Sequence, residues 1–316
     1  MAHLIKLEDY ISRYQFDITR YPSQFTRLKK DRWYYLKTEW ENVNHSMIKS
    51  NRAQQPSQEE DWFSDESKGI WSGMLEKIKG LSFLKKTDQE EVVETNEPVD
   101  YYHFKEKTLD EVKAIFYQEL FESQLRWASS SILEKSSLDP KYKYDRTLKL
   151  FVQQLPDNYL VMYQPVFWFK QARVEMEVIV ISPTDVYCIA LLPGTEHSIF
   201  TATSQRFWEE FIDGGKRRKL SPLLSLNRMA SLISQMMRDS NLSMPIRKVV
   251  LSEYSLIDNQ MQGSKVECVD RRNIDDWLDK LKRQPSPIKS TQLQVAKALL
   301  SHCQTSAYKR QDVVEE

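Results

Sequence analysis

Glu175 and Glu177 interrupt one of the most apolar runs of the chain, Val174 to Leu192, which reads VEMEVIVISPTDVYCIALL. Side chains alternate across a strand, so the two carboxylates share a face with Ile179 and Ile181, while Val174, Met176, Val178 and Val180 share the other. Carboxylates on an otherwise buried face are oxygen donors for a hard cation such as Mg2+, which polarises a phosphodiester and activates an attacking water. Glu119, within the apolar arc of a helix that carries Ile115 and Phe116, is a third carboxylate able to join them. The competing assignment for all three is structural. Glu119 then pairs with Arg126 or Lys170, and Glu175 and Glu177 pair with Lys or Arg across the sheet, as ion pairs around such positions commonly do.

Three β-rich runs position these residues: Tyr159 to Phe169, Val174 to Ser182 and Val186 to Leu192, with turns at Pro156-Asp157-Asn158 and Ser182-Pro183-Thr184-Asp185. Thr108-Leu109-Asp110-Glu111 has the form of a capping box and opens a helix before them, with Val112, Ile115, Phe116, Leu120 and Trp127 as its buried stripe. After a less regular stretch holding Gly214-Gly215, the pattern predicts a helix over Leu220 to Met237 and strands over Lys248 to Tyr254 and Lys265 to Val269. Helices over Ile274 to Leu281 and Gln292 to Leu300 close the chain. The order from Thr108 is α-β-β-β-α-β-β-α, an α/β arrangement.

Residues 1–48 read as an N-terminal helical region, with a stripe of Leu7, Tyr10, Ile11, Tyr14 and Ile18, a break at Tyr21-Pro22-Ser23, and a second helix through Trp40. Residues 49–100 read as an acidic linker poor in aliphatics. Within it, residues 70–85 form a short amphipathic segment suited to packing on a partner or to peripheral membrane contact. The core spans 101–285, and 286–316 hold a helix and a solvated tail.

The segment ISPTDVYCIALL resembles part of the nuclease-related domain (NERD) family, within the restriction-endonuclease-like PD-(D/E)XK superfamily. There an acidic residue lies near the start of one strand, a Ser-Pro or similar turn follows, and the next strand ends in Glu-X-Lys. The resemblance puts Glu177 at the acidic position and the Glu-X-Lys pair thirteen residues later, at Ala190 and Leu192. Ser221-Pro222-Leu223 is similar to the Asn-Pro-Leu entry to the family's later helix, and the likeness extends over residues 108 to 285. It implies a restriction-endonuclease-like core of α-β-β-β-α-β order with an N-terminal helical extension. An alanine methyl ligates no metal and a leucine places no cation beside a phosphate. The resemblance therefore implies a non-catalytic domain, needing no cofactor, that acts by binding protein or nucleic acid. One alternative is a Mg2+-dependent nuclease using Glu119, Glu175 and Glu177 with a relocated lysine such as Lys170; another is an interaction protein docking through its N-terminal helices.

Two basic segments suit nucleic acid. Arg20, Arg27, Lys29 and Lys30 alternate with aromatic residues in RYPSQFTRLKKDRWYY, and Lys216, Arg217 and Arg218 follow Gly214-Gly215 just before a helix start, an arrangement that can bind phosphate. No global field supports either segment, because 45 Lys and Arg balance 45 Asp and Glu. Cys188, Cys268 and Cys303 lack metal-ligand or CxxC spacing. His197 and His302 have no partner at recognisable spacing, and glycine-rich phosphate loops, GxSxG and HExxH are absent. With no run of about 18 apolar residues and no signal-like start, a soluble cytoplasmic protein is expected.

Overall fold

The computed structural model describes residues 1–51 (side chains to 44), 104, 107–131, 134, 136–260, 265–284 and 286–306. The amphipathic segment 70–85, nearly all of the acidic linker and the end of the tail lie outside the described residues. The chain divides into two compact units, one of residues Met1–Trp33 with Lys113–Glu316 and one of Tyr34–Val112.

The larger unit is built on a six-stranded mixed sheet. Its strands are β1 (His3–Leu7), β2 (Leu160–Tyr163), β5 (Val178–Ile181), β6 (Val186–Leu191), β10 (Ile246–Leu251) and β12 (Val266–Val269), adjacent in that order. Strands β2, β5 and β6 form an antiparallel meander, with Val178 opposite Ile189 and Ile181 opposite Val186. β10 returns parallel to β6 after helix α5 (Pro222–Asp239), β12 lies parallel beyond it, and β1 lies parallel to β2 at the other edge. Val178, Val180, Tyr187, Ile189 and Val249 pack in one core with side chains of α2 (Leu109–Trp127), the short α3 (Lys141–Tyr144), α4 (Arg146–Gln154) and α6 (Ile274–Lys282). Ile179, Ile181, Cys188 and Ala190 alternate to the other face, where α5 packs on β6 and β10 and contacts α7 (Ser290–Ser301). Gln292 of α7 reaches the sheet itself and donates to the Ile181 and Asn158 carbonyls. Because both faces are covered, β5 and β6 read as continuous apolar runs.

Several expectations change. The stripe beginning at Leu7 predicts a helix, whereas His3–Leu7 is a strand with every side chain buried, followed only by a 3-10 turn at Arg13–Gln15. Burial on both faces removes the period-two signature, and Lys6 imitates a polar helical position. Its ammonium is wholly buried and donates to the Tyr10 carbonyl at 2.7 Å, Thr305 Oγ1 at 3.3 Å and Gln15 Oε1 at 3.4 Å. Burial pulls its pKa down to about 8. The second N-terminal helix is present as α1 (Arg20–Asn51), with Pro22 in its first turn, where no intrahelical N–H is needed.

The first two β-rich runs are each broken. Gln164, at φ 50°, and Pro165 separate β2 from β3 (Val166–Phe169), and Met176-Glu177 separate β4 (Ala172–Glu175) from β5. β3 and β4 form their own hairpin, turned at Lys170 and Gln171 with φ of 45° and 65°. The stretch around Gly214, expected to be irregular, is ordered as β7 (Ile199–Ala202), β8 (Phe207–Ile212) and β9 (Gly215–Leu220). With β11 (Leu256–Asn259) these make a second sheet in the order β11-β7-β8-β9. Asp213 and Gly214, at φ 48° and 76°, form the two-residue turn between β8 and β9, a primed turn that matches strand twist.

In the smaller unit, Thr108 and Glu111 form the expected capping box: the Thr108 hydroxyl accepts from the Glu111 N–H at 3.3 Å and Glu111 Oε2 accepts from the Thr108 N–H at 2.7 Å. Trp40 Nε1 donates to the Lys107 carbonyl.

Candidate functional site

The carboxyl ends of β1, β2, β6, β10 and β12 lie along one rim of the large sheet, and open α/β sheets place their ligands along such a rim. Glu177 stands here, at the break before β5. Since β5 starts at Val178 opposite Ile189, the Leu191 N–H, two residues further along β6, finds no strand carbonyl across from it. Glu177 Oε2 takes its place and accepts that N–H at 2.5 Å. The other oxygen, Oε1, accepts from the Ser225 hydroxyl at 2.7 Å. Ser225 belongs to the first turn of α5, whose N-terminal dipole favours a carboxylate. Glu177 thus closes a gap in the sheet and ties it to the helix.

Ala190 is fully buried on the face that α5 covers, and Leu192 is nearly so; the Leu192 N–H continues the parallel ladder to the Leu251 carbonyl. Glu175 sits on β4 of the separate hairpin, exposed, 3.5 Å from Arg173 on the same strand. Glu119 receives both Nε and Nη2 of Arg32 at 2.7 and 2.8 Å, a bidentate pair between α2 and α1, where Arg126 or Lys170 was expected. Lys170 is at the hairpin turn, with its ammonium 5.6 Å from the Phe169 ring. The three carboxylates accordingly occupy three separate settings. Among the described residues, no group of three or more His, Cys, Asp or Glu could hold a metal ion.

Further rim groups carry no motif signature in the sequence. Asp145 caps α4 through the Leu148 N–H and accepts the Tyr163 hydroxyl at 2.8 Å; burial first, and then the Asp145 charge, push that phenol above its ordinary range. Glu253 accepts the Thr147 hydroxyl. Asp270 accepts the Ile257 N–H and the Arg272 guanidinium; burial opposes its ionisation, yet these bonds hold its carboxyl below the usual range. Each of these rim carboxylates is committed to a bond that holds two segments together.

The basic candidates divide. Lys29 is buried and paired with Asp157 at 2.6 Å, so it is structural, while Arg20, Arg27 and Lys30 are exposed on α1, Arg27 lying 3.8 Å from Asp31. Lys216, Arg217 and Arg218 are on strand β9, not in a loop feeding a helix N-terminus, and the first turn of α5 is capped by Ser221 accepting the Leu223 N–H. Phe207 and Phe211, not among the candidates read from the sequence, lie beside them on β8. The alternation in FWEEFI, followed by Asp-Gly, was the available hairpin signal. His3 is buried in β1, His197 is exposed in a loop, and His302 ends α7 with Nδ1 2.8 Å from the Ala298 carbonyl.

No helix among the described residues is long and apolar enough to cross a membrane. No protein-family model matches the chain, and no solved structure matches it. Over 124 residues, 39% of this chain, the sequence is 32% identical to an RNA 2',3'-cyclic phosphodiesterase of Geobacillus stearothermophilus; the match covers 36% of that protein, so this chain spans about a third of its length.

Proposed function

We propose that this chain is a non-catalytic, NERD-like domain of restriction-endonuclease-like architecture that acts by binding a partner. The architecture is supported by α2 and α4 before the β2-β5-β6 meander, then α5 and the parallel return of β10. The observation that carries the functional reading is the commitment of Glu177, the one family-like acid, to the Leu191 N–H and Ser225, beside a buried Ala190 where a second ligand would stand. Three free cysteines suit the reducing cytoplasm, where we place it.

The similarity to an RNA 2',3'-cyclic phosphodiesterase favours a second reading, a phosphodiesterase. Opening a cyclic phosphate without a metal requires an acid and a base flanking the phosphorus. Among the described residues, the histidines His3, His197 and His302 are in a core strand, a loop and a helix end, and the rim carboxylates are engaged in structural bonds. The observations therefore favour the binding reading.

Calorimetry with Mg2+ and Mn2+, run alongside incubation with single- and double-stranded DNA, RNA and RNA ending in a 2',3'-cyclic phosphate, tests the choice. The expected result is no saturable heat and no product. Cleavage abolished by Glu177→Gln would overturn the proposal in favour of the metal-dependent nuclease, and metal-independent opening of the cyclic phosphate would establish the second reading.

A further inference from the structure

The β11-β7-β8-β9 sheet has one dry face and one wet face. Phe200, Trp208 and Ile257 are buried on the first. The cross-strand pairs Ile199–Phe211 and Phe207–Leu220 fall on the second, where Ile199, Phe211 and Leu220 are 42%, 39% and 64% exposed. Cations are layered over its aromatic rings. The Arg218 guanidinium carbon lies 3.8 Å from the Phe207 ring centre, at stacking distance, with Arg206 on the same ring at 5.5 Å, and Lys216 Nζ lies 5.4 Å from the Phe211 ring. Lys216 also pairs with Glu209. Arg206 and Arg218 make no ion pair among the described residues, and β9 is an edge strand; Arg217, in register with Glu210, belongs to the other face.

We infer that the exposed face of β7, β8 and β9 binds single-stranded nucleic acid. Bases stack on Phe211 and on the Phe207–Arg218 layer, and phosphates run along Arg206 and Arg218. The chemistry is complementary in both respects. Every base has a π face that stacks on an aromatic ring or a guanidinium plane, and an unpaired strand exposes those faces as well as its phosphates. An extended acidic peptide would pair with the backbone edge of β9 and leave the aromatic face uncovered. A duplex keeps its bases stacked on one another and meets only the cations. This inference rests on the reading of the chain as a binding domain that does not cleave, and it names the class of partner.

Fluorescence anisotropy of the full chain with labelled 12-mers of oligo-U and oligo-dT tests it, with a 12-bp duplex for comparison. Single strands should bind at least tenfold more tightly than the duplex. Two unpaired guanidinium groups predict a log–log salt slope of about −1.4, at about −0.7 per phosphate neutralised. Arg218→Ala and Phe211→Ala should each weaken binding about tenfold, within the range of one stacked base. Arg218→Lys keeps the charge and loses the plane, so most of the loss should remain; Lys30→Ala on α1 should change nothing. A ratio of oligo-U to oligo-dT affinity well above one would assign the natural ligand to RNA, and a ratio near one to single strands of either kind, both within the inference. Equal affinity for the duplex, full rescue by Arg218→Lys, or loss of binding in Lys30→Ala with retention in Arg218→Ala would each overturn it. Absence of binding by a folded chain would overturn the inference and point to a protein partner, leaving the non-catalytic reading intact. Oligonucleotide cleavage would count against that reading instead.

Discussion

Removing Glu177 separates a structural carboxylate from a catalytic one. In Glu177→Ala the Leu191 N–H and the Ser225 hydroxyl both lose their acceptor. A hydrogen bond to a charged group contributes about 1.5–3 kcal/mol. Glu177 is half-buried, so the lower end applies to each bond, giving about 3 kcal/mol in total. For a unit of this size about 1 kcal/mol corresponds to about 2–4 °C, so Tm should fall by about 6–12 °C. Glu177→Gln retains one carbonyl oxygen and should lose about half as much. Ser225→Ala removes one bond, and the Glu177→Ala/Ser225→Ala cycle should report a coupling of about 1 kcal/mol, since residues in direct contact do not add. Differential scanning calorimetry on the parent and the four variants is the assay. A carboxylate kept for metal binding behaves oppositely, because functional acids are commonly held at a cost in stability. A Tm for Glu177→Ala equal to or above that of the parent would refute the structural assignment.

Introducing a Glu-X-Lys pair with Ala190→Glu and Leu192→Lys should not create a nuclease; a carboxylate forced beneath α5 should destabilise the fold by more than about 3 kcal/mol, seen as loss of the cooperative transition in urea. Arg32→Ala breaks the bidentate contact to Glu119; because both side chains are partly solvated the loss should be about 1 kcal/mol, or about 2–4 °C in a thermal melt. His3 provides a pH test. It is fully buried among Tyr14 and Phe25, and burial, the largest influence, lowers its pKa from 6.5 to about 3, so the fold holds it neutral while the unfolded chain takes up a proton. Stability should be complete above about pH 6.5 and fall by about 1.4 kcal/mol per unit as pH drops toward 3; His3→Phe should flatten that slope in urea titrations at pH 7, 6, 5 and 4.5, and an unchanged slope would place the acid sensitivity elsewhere.

Local signals carried much of the architecture. The Thr108 capping box, the Ser221-Pro222 helix entry and the turn from Ser182 to Asp185 are bonds between neighbours in sequence, and each forms as its residue types require. The meander's apolar runs were also legible, since strands covered on both faces leave little else to read. What failed depended on distant partners. β1 is a strand because it pairs with β2, more than 150 residues later, and Lys6 is tolerable within it only because Thr305 and the Tyr10 carbonyl converge on its ammonium. The partner of Glu119 was missed for the same reason: Arg32 is 87 residues away and shares no local pattern with it.

The candidate site shows what spacing can and cannot convey. Thirteen residues from Glu177 to Ala190 fix which groups come near one another, because the hairpin register leaves no freedom once Ile181 opposes Val186. Spacing does not say what the acid does there. That depends on the interruption at Met176-Glu177, which leaves the Leu191 N–H without a strand partner and makes the Glu177 side chain the acceptor that completes the sheet. Once a carboxylate has that task, a neighbouring methyl at Ala190 is the compatible choice: a second acid beneath α5 would add a buried, unpaired charge. On the proposed NERD-like reading, Ala190 and Leu192 at the Glu-X-Lys positions and the structural use of Glu177 are then one physical adjustment. The cations and aromatic rings of the second sheet stand apart from that adjustment and can serve a partner without any chemistry at the rim.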